Sequence, residues 1–141
     1  MTGHLEGQAT EPAKPKPADR PARRGRPGHD VEAADGQATV RMRVTAGMVN
    51  GHALVHGGFI FLLADTAFAC ACNSHGPVTV AAGADISFVR PARAGDLLEA
   101  SARERVTSGR SGIYDVTVSR DGDVIAEFRG RSRVISPGRP S

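Results

Sequence analysis

Tryptophan is absent from this 141-residue chain, tyrosine occurs once, and aromatic residues make up only 4% of it. With 40% of residues hydrophobic, the composition supports one modest domain and is too thin for two independent cores. Cysteine is equally scarce. Cys70 and Cys72 are the only two, and on a helix they point roughly 200° apart, which a disulfide between them cannot bridge. A disulfide framework is excluded. No apolar run is long enough for a membrane: the longest, residues 57–72, is interrupted by Asp65 and falls short of the roughly 20 residues that span a bilayer. No apolar segment follows the N-terminal charges as in a secretory leader. A soluble, cytoplasmic protein without membrane partners is expected.

Charge of one sign is also missing from the body. Lys and Arg number 18 against 15 Asp and Glu, and six of the basic residues (Lys14, Lys16, Arg20, Arg23, Arg24, Arg26) fall in the first thirty positions. The other 12 basic residues face 11 acidic ones, which excludes a global basic field for gripping nucleic acid. Residues 1–30 also hold five of the nine prolines, Pro12, Pro15, Pro17, Pro21 and Pro27. Lacking an apolar run, they cannot offset the entropy of ordering and are expected to be a disordered tail. That tail reads as a solvated extension or a misassigned start rather than a nucleic-acid arm. Residues 136–141, Ser-Pro-Gly-Arg-Pro-Ser, are expected to fray.

Between the tails the pattern alternates strand and helix signals. Val40, Met42 and Val44 against Thr39, Arg41 and Arg43 have period two and predict a strand over 38–44. A Gly-rich loop with Asn50, Gly51 and His52 follows, and His56-Gly57-Gly58 opens a run over 59–73 that is apolar on every side. Such a helix must be wrapped by other elements. Four further strands are predicted over 78–90, 96–106, 112–119 and 124–134, the last two joined by a hairpin turn at Asp121-Gly122. Five strands and one buried helix imply an α+β domain over 31–135, an antiparallel sheet curled about the helix. A single sheet leaves part of that helix bare. A second copy of the chain is the simplest cover.

Asp65 interrupts the helix among Leu62, Leu63, Ala64, Ala67 and Phe68, where an ionised carboxylate is costly to bury. Burial would push its pKa upward and suit it to accept a proton near neutral pH. The alternative is an exposed strip or a cap on a broken helix. Gly57 and Gly58 stand where the helix begins; its first N–H groups have no internal partner and carry the positive end of the dipole, a site for an oxyanion. A tight turn is the alternative role of the pair. Gly57 and Asp65 are eight residues apart, about 12 Å along a helix, so no one reacting carbon touches both within a subunit. If both serve one reaction, they come from different subunits. Asn50 orients a water or a carbonyl, or is an ordinary turn residue. His52 and His56 lie four apart in a Gly-rich loop with no third ligand, so no metal is expected, and His56 is read as holding the helix entrance or the substrate. No Gly-x-Ser-x-Gly elbow and no phosphate-binding GxxxxGK[ST] loop occurs, which argues against a serine hydrolase or an NTPase.

Met48-Val49-Asn50-Gly51-His52, His56-Gly57-Gly58, Leu63-Ala64-Asp65-Thr66-Ala67-Phe68-Ala69 and Cys72-Asn73-Ser74 together resemble the hot-dog-fold acyl-CoA thioesterases, specifically the PaaI-type enzymes of phenylacetate degradation. Phe88-Val89-Arg90-Pro91-Ala92-Arg93-Ala94-Gly95-Asp96, Gly112-Ile113-Tyr114-Asp115-Val116 and Phe128-Arg129-Gly130-Arg131-Ser132 look like the same subgroup. The resemblance implies a hot-dog fold, a homodimer with joined sheets and a dimer of dimers, and hydrolysis of an aryl- or medium-chain acyl-CoA to free acid and coenzyme A. Phenylacetyl-CoA and its ring-hydroxylated forms are the expected substrates, and coenzyme A, part of the substrate, is the only cofactor-like group. By the same resemblance Asp65 is the catalytic carboxylate, as general base or nucleophile, and the Gly57 N–H polarises the thioester carbonyl. Asn50 and His56 line the site. Coenzyme A runs along 88–93, Pro91 included, with Arg90, Arg93 and Arg110 near its phosphates or, alternatively, on a solvated strand edge. Relatives usually place an amphipathic helix ahead of the first strand, and residues 1–30 contain nothing of the kind. A non-catalytic acyl-CoA-binding module is the competing reading, but a sensor has no use for a buried carboxylate beside an oxyanion site. A hydratase would want a His near the Asp inside the helix, and residues 59–73 contain none.

Overall fold

A computed structural model describes residues 29–136 of the chain. The helix α1, Gly57–Asn73, shows how the sequence builds the domain. Ile60, Leu63, Ala64, Ala67, Phe68, Ala71 and Cys72 are buried on it, a spacing of three and four that marks one face. That face packs on the sheet. Gly58, Phe61, Asp65 and Ala69 recur at the same spacing on the side the sheet leaves open, with Gly58, Phe61 and Ala69 exposed, though the Phe61 ring still reaches Phe128 of the sheet edge-on (centroids 5.4 Å).

The strands are β1 (His29–Ala34), β2 (Gln37–Arg43), β3 (Thr79–Phe88), β4 (Leu97–Ser108), β5 (Ser111–Arg120) and β6 (Asp123–Val134), and a short 3-10 turn, Ala46–Met48, precedes the helix. They form one six-stranded sheet in the order β1-β2-β4-β5-β6-β3, antiparallel at every pairing. Strand alternation sets the inner face: Val40 and Met42 on β2, Leu98, Ala100 and Ala102 on β4, Tyr114, Val116 and Val118 on β5, and Ala126 and Phe128 on β6 are buried. Each fully buried large side chain contributes about 1.5–3 kcal/mol of hydrophobic stabilisation, and the smaller alanines less.

The sequence pattern predicts five strands, and the sixth is β1. It pairs with β2 through a two-residue turn at Asp35 and Gly36, both with positive φ (55° and 81°), the twist that suits a tight hairpin. Val31 and Ala33 alternate with Glu32, but a run this short and rich in alanine carries little strand signal. The strand begins at His29, so the last two residues assigned to the N-terminal tail lie in the sheet. The rest of that tail, and residues 137–141 at the other end, fall outside the described residues.

Packing is close where β6 meets the helix. A Cβ added at Gly130 would lie 2.8 Å from three ring atoms of Phe68, so the ring rests on bare backbone. Gly130→Ala is expected to destabilise the domain by about 1–3 kcal/mol through overpacking, read as a lower urea midpoint at unchanged m-value.

Candidate active site

The approach to the helix is a hairpin-like loop. Val49 and Val55 form an isolated bridge, the Asn50 N–H donates to the Leu54 carbonyl at 2.7 Å, and the Ala53 N–H to the Asn50 carbonyl at 3.0 Å. The Asn50 Oδ1 accepts from the backbone N–H of His52 (2.8 Å) and Leu54 (3.2 Å). Asn50 is therefore a turn residue whose carbonyl oxygen is engaged and whose amide Nδ2 remains for another partner. Ala53 closes the loop in the left-handed region (φ 63°), at a cost of about 1–2 kcal/mol for a residue with a Cβ.

His56 stands at the N-cap in an extended conformation and makes no side-chain cap bond. The Phe59 N–H donates to the His56 carbonyl at 3.0 Å, which leaves the N–H groups of Gly57 and Gly58 and the positive end of the dipole open. The His56 N–H, donating to the Met48 carbonyl at 3.0 Å, anchors the entrance. A Cβ at Gly57 would meet the tip of the Phe88 ring at 3.0 Å, so only glycine lets that ring rest against the first turn.

A groove of about 410 Å³ runs from this point, lined by Asn50, Leu54, Val55, Gly57, Ile60, Phe88, Val89, Arg90 and Pro91. Asn50, Gly57, Arg90 and Pro91, expected from the sequence at one site, line it together. His56, next to Gly57 in the chain, is exposed and is not among the lining residues. Arg93 is exposed on the adjoining loop, where its backbone bridges to Leu54. The Arg90 guanidinium donates to the Val124 carbonyl at 2.7 Å, so part of it is structural. Arg110 is elsewhere: it follows Gly109 in the β4–β5 turn and lines a cavity of about 60 Å³ with Cys72, His75, Tyr114 and Ser132. That cavity adjoins the C-terminal end of the helix, about 25 Å from its start at 1.5 Å per residue. Within one chain Arg110 does not join Arg90 and Arg93.

Asp65 sits half-buried on the open face of α1. Its carboxylate makes no hydrogen bond or ion pair among the described residues, and burial pushes its pKa above the ordinary carboxylate value. Two turns away, burial first and the charges of Cys70 and Asp65 after it raise the Cys72 thiol to about 11. Neither cysteine forms a disulfide. Among the described residues no group of three His, Cys, Asp or Glu is placed to hold a metal ion, and no helix is long and apolar enough to cross a membrane.

The wall behind the groove is not legible from the sequence. Asp96 Oδ2 accepts from the Arg93 N–H at 2.8 Å and from Arg120 Nη1 at 3.1 Å, and Arg120 Nη1 also donates to the Pro91 carbonyl at 3.1 Å. The Gly95-Asp96 pair hints at a turn. Arg120, 24 residues on in sequence, gives no signal.

Comparison with known proteins agrees with this architecture. A family model described as the thioesterase superfamily matches residues 52–127. The acyl-coenzyme A thioesterase PaaI of Escherichia coli K12 is 48% identical over 110 residues, 77% of this chain and 79% of that protein. The solved structure of the E. coli PaaI protein from the phenylacetic acid degradation operon superposes with a TM-score of 0.75 at 44% identity, covering 79% of this chain and 82% of that one. A mutant of the phenylacetic acid degradation protein PaaI from Thermus thermophilus matches at 38% identity and a TM-score of 0.73, over 77% of this chain and 94% of that one. With one long helix against a single antiparallel sheet and a groove at the helix N-terminus, the chain belongs to the thioesterase superfamily, as a hot-dog acyl-CoA thioesterase of the PaaI type.

Proposed function

We propose that the chain hydrolyses phenylacetyl-CoA, hydroxyphenylacetyl-CoA or medium-chain acyl-CoA thioesters to the free acid and coenzyme A, in a site completed by a second copy. The observation that carries this reading is Asp65: a half-buried carboxylate without a protein partner among the described residues, on the helix face the sheet leaves open. A structural carboxylate in that position would be expected to have a cation or N–H groups around it. The uncapped N–H groups at Gly57 supply donors for the charge that develops on the thioester oxygen, and such donors are usually the largest single catalytic term. Asp65 then accepts a proton from water or attacks the carbonyl itself. The Asn50 amide and His56 border the same space. Arg90, Pro91 and Arg93 are read as the path of the coenzyme A arm, and no metal or separate cofactor is needed.

Two copies follow from the 12 Å separation of Gly57 and Asp65 (roughly, at 1.5 Å per residue). If Gly57 of one chain faces Asp65 of the other, the helices run antiparallel and cross level with residue 61. Phe61 stands there, 37% exposed for a large apolar side chain. Strand β3 lies at the sheet edge beside it, with Val78, Val80, Phe88 and Val89 exposed on or next to it. An edge of this kind pairs readily with another strand. Two dimers joining into a tetramer completes the proposed assembly, in the cytoplasm.

Complementation tests the shared site. Gly57→Pro removes the N–H at the first helical position, where the helix backbone accepts proline although the added ring also displaces Phe88, and Asp65→Asn removes the proton acceptor. Each variant alone is expected to release little thiol from phenylacetyl-CoA or from a ladder of straight-chain acyl-CoAs. Mixed after unfolding and refolding at equal amounts, they should recover roughly a quarter of wild-type activity. Half the dimers are then mixed, and each mixed dimer keeps one intact site of two. No recovery would place both groups in one chain or outside the reaction, and no release by wild type would leave the acyl-CoA-binding module as the reading.

A further inference from the structure

We infer that Arg120 is a positioning residue for the substrate groove, holding the 91–96 loop in place from the neighbouring β5–β6 hairpin. The inference rests on the hydrolase reading above and extends it to a residue outside the groove. Five hydrogen bonds tie the hairpin to residues 89–96. Arg120 Nη1 donates to the Pro91 carbonyl and to Asp96 Oδ2, both at 3.1 Å. The N–H groups of Val89 (2.7 Å) and Arg90 (3.1 Å) both donate to the Ile125 carbonyl, and Arg90 Nη1 donates to the Val124 carbonyl. The turn between the strands is only two residues long, Asp121 and Gly122, both at positive φ (51° and 86°).

Asp96 is the centre of this staple. One of its oxygens takes both the Arg120 guanidinium and the Arg93 N–H, so the loop curls around a single charged atom. The side chains of Arg120 and Asp96 are each 23% exposed, too sheltered for water to screen the pair as it screens a fully exposed one. The far side of the loop contacts the groove twice: Pro91 lines it, and the Ala92 carbonyl accepts from the Val55 N–H at 2.8 Å. Helix entry is anchored separately, by the bond from His56 to Met48. Loosening Arg120 therefore moves the binding wall and spares the Gly57 amide.

The test compares Arg120→Met and Arg120→Lys with wild type, and with Arg41→Met as a control that removes the surface pair of Arg41 with Glu99. Phenylacetyl-CoA turnover, coenzyme A affinity by calorimetry and thermal midpoint are measured for each. Arg120→Met should raise KM and weaken coenzyme A binding about tenfold, the size of one charged hydrogen bond, with kcat within about threefold of wild type. Arg120→Lys should recover part of that loss, because an ammonium has donors for the two acceptors that Nη1 serves but sits on a shorter stem and does not reach both. The control should leave KM unchanged. Unchanged KM and affinity in Arg120→Met, or kcat falling in step with the thermal midpoint while KM holds, would overturn the inference. If wild type cleaves no thioester, the hydrolase reading fails, and coenzyme A affinity alone decides between tenfold weakening and none. Absence of coenzyme A binding by wild type would end both.

Discussion

Asp65→Asn is expected to fold normally and to lose about 10²- to 10⁴-fold in thioester turnover, the usual contribution of a positioned proton acceptor. Asparagine keeps the shape of the side chain and removes its basicity. The wild-type activity should rise with pH on its acid side with an apparent pKa above the ordinary 3.8, since burial favours the neutral form of this carboxyl. Stability should move the other way. The folded chain holds the Asp65 proton more tightly than the unfolded chain, so this group contributes stability below its unfolded pKa and withdraws it as pH climbs through the folded value. Asparagine has no such titration. The melting difference, variant minus wild type, should therefore grow from about pH 4 upward and level off above the folded pKa. A flat difference would show that the carboxylate is fully solvated, and near-normal turnover would remove Asp65 from the chemistry.

Phe68→Ala is expected to cost about 3–5 kcal/mol, the largest single loss of stability available in the helix. Phe68 is almost wholly buried, with ring centroids 5.6 Å from Tyr114 and 5.7 Å from Phe128. The upper part of that range applies because one wall of the resulting cavity is the backbone of Gly130, which cannot send a side chain into the space. Urea unfolding should show the loss as a lower midpoint with the m-value preserved. A change below about 1 kcal/mol would mean that the core repacks around the deletion.

Much of this arrangement is legible in the residues. The helix is readable because its apolar run is long and bounded by glycine, and the later strands because Tyr114, Val116 and Val118 alternate with polar neighbours. Asp65 stands out as one charge in an apolar helix. The first strand escapes notice because Val31 and Ala33 are weak signals beside a proline-rich tail. Arg110 shows a different limit: its charge suggests phosphate, but placing it needs the β4–β5 register, Thr107 opposite Gly112, and periodicity does not fix register across strands. Arg120 and Asp96 are invisible as a pair for the same reason. They meet only because β5 ends beside the loop that precedes β4.

The strand order also bears on how the chain emerges from a ribosome. Strand β3 leaves the helix and takes its place at the far edge, where β6 is its one neighbour in the sheet. Translation proceeds at about 5–20 residues per second, and β6 follows β3 by 35 residues, from Phe88 to Asp123. For those few seconds β3 exists without the strand that joins it to the sheet, while the helix already has β2 to pack on. The apolar residues of β3 then depend on a segment still to be made. Damage within 123–134 would consequently remove two strands from the sheet rather than one, and a ribosome stalled before that segment would hold a nascent chain suited to capture by chaperones.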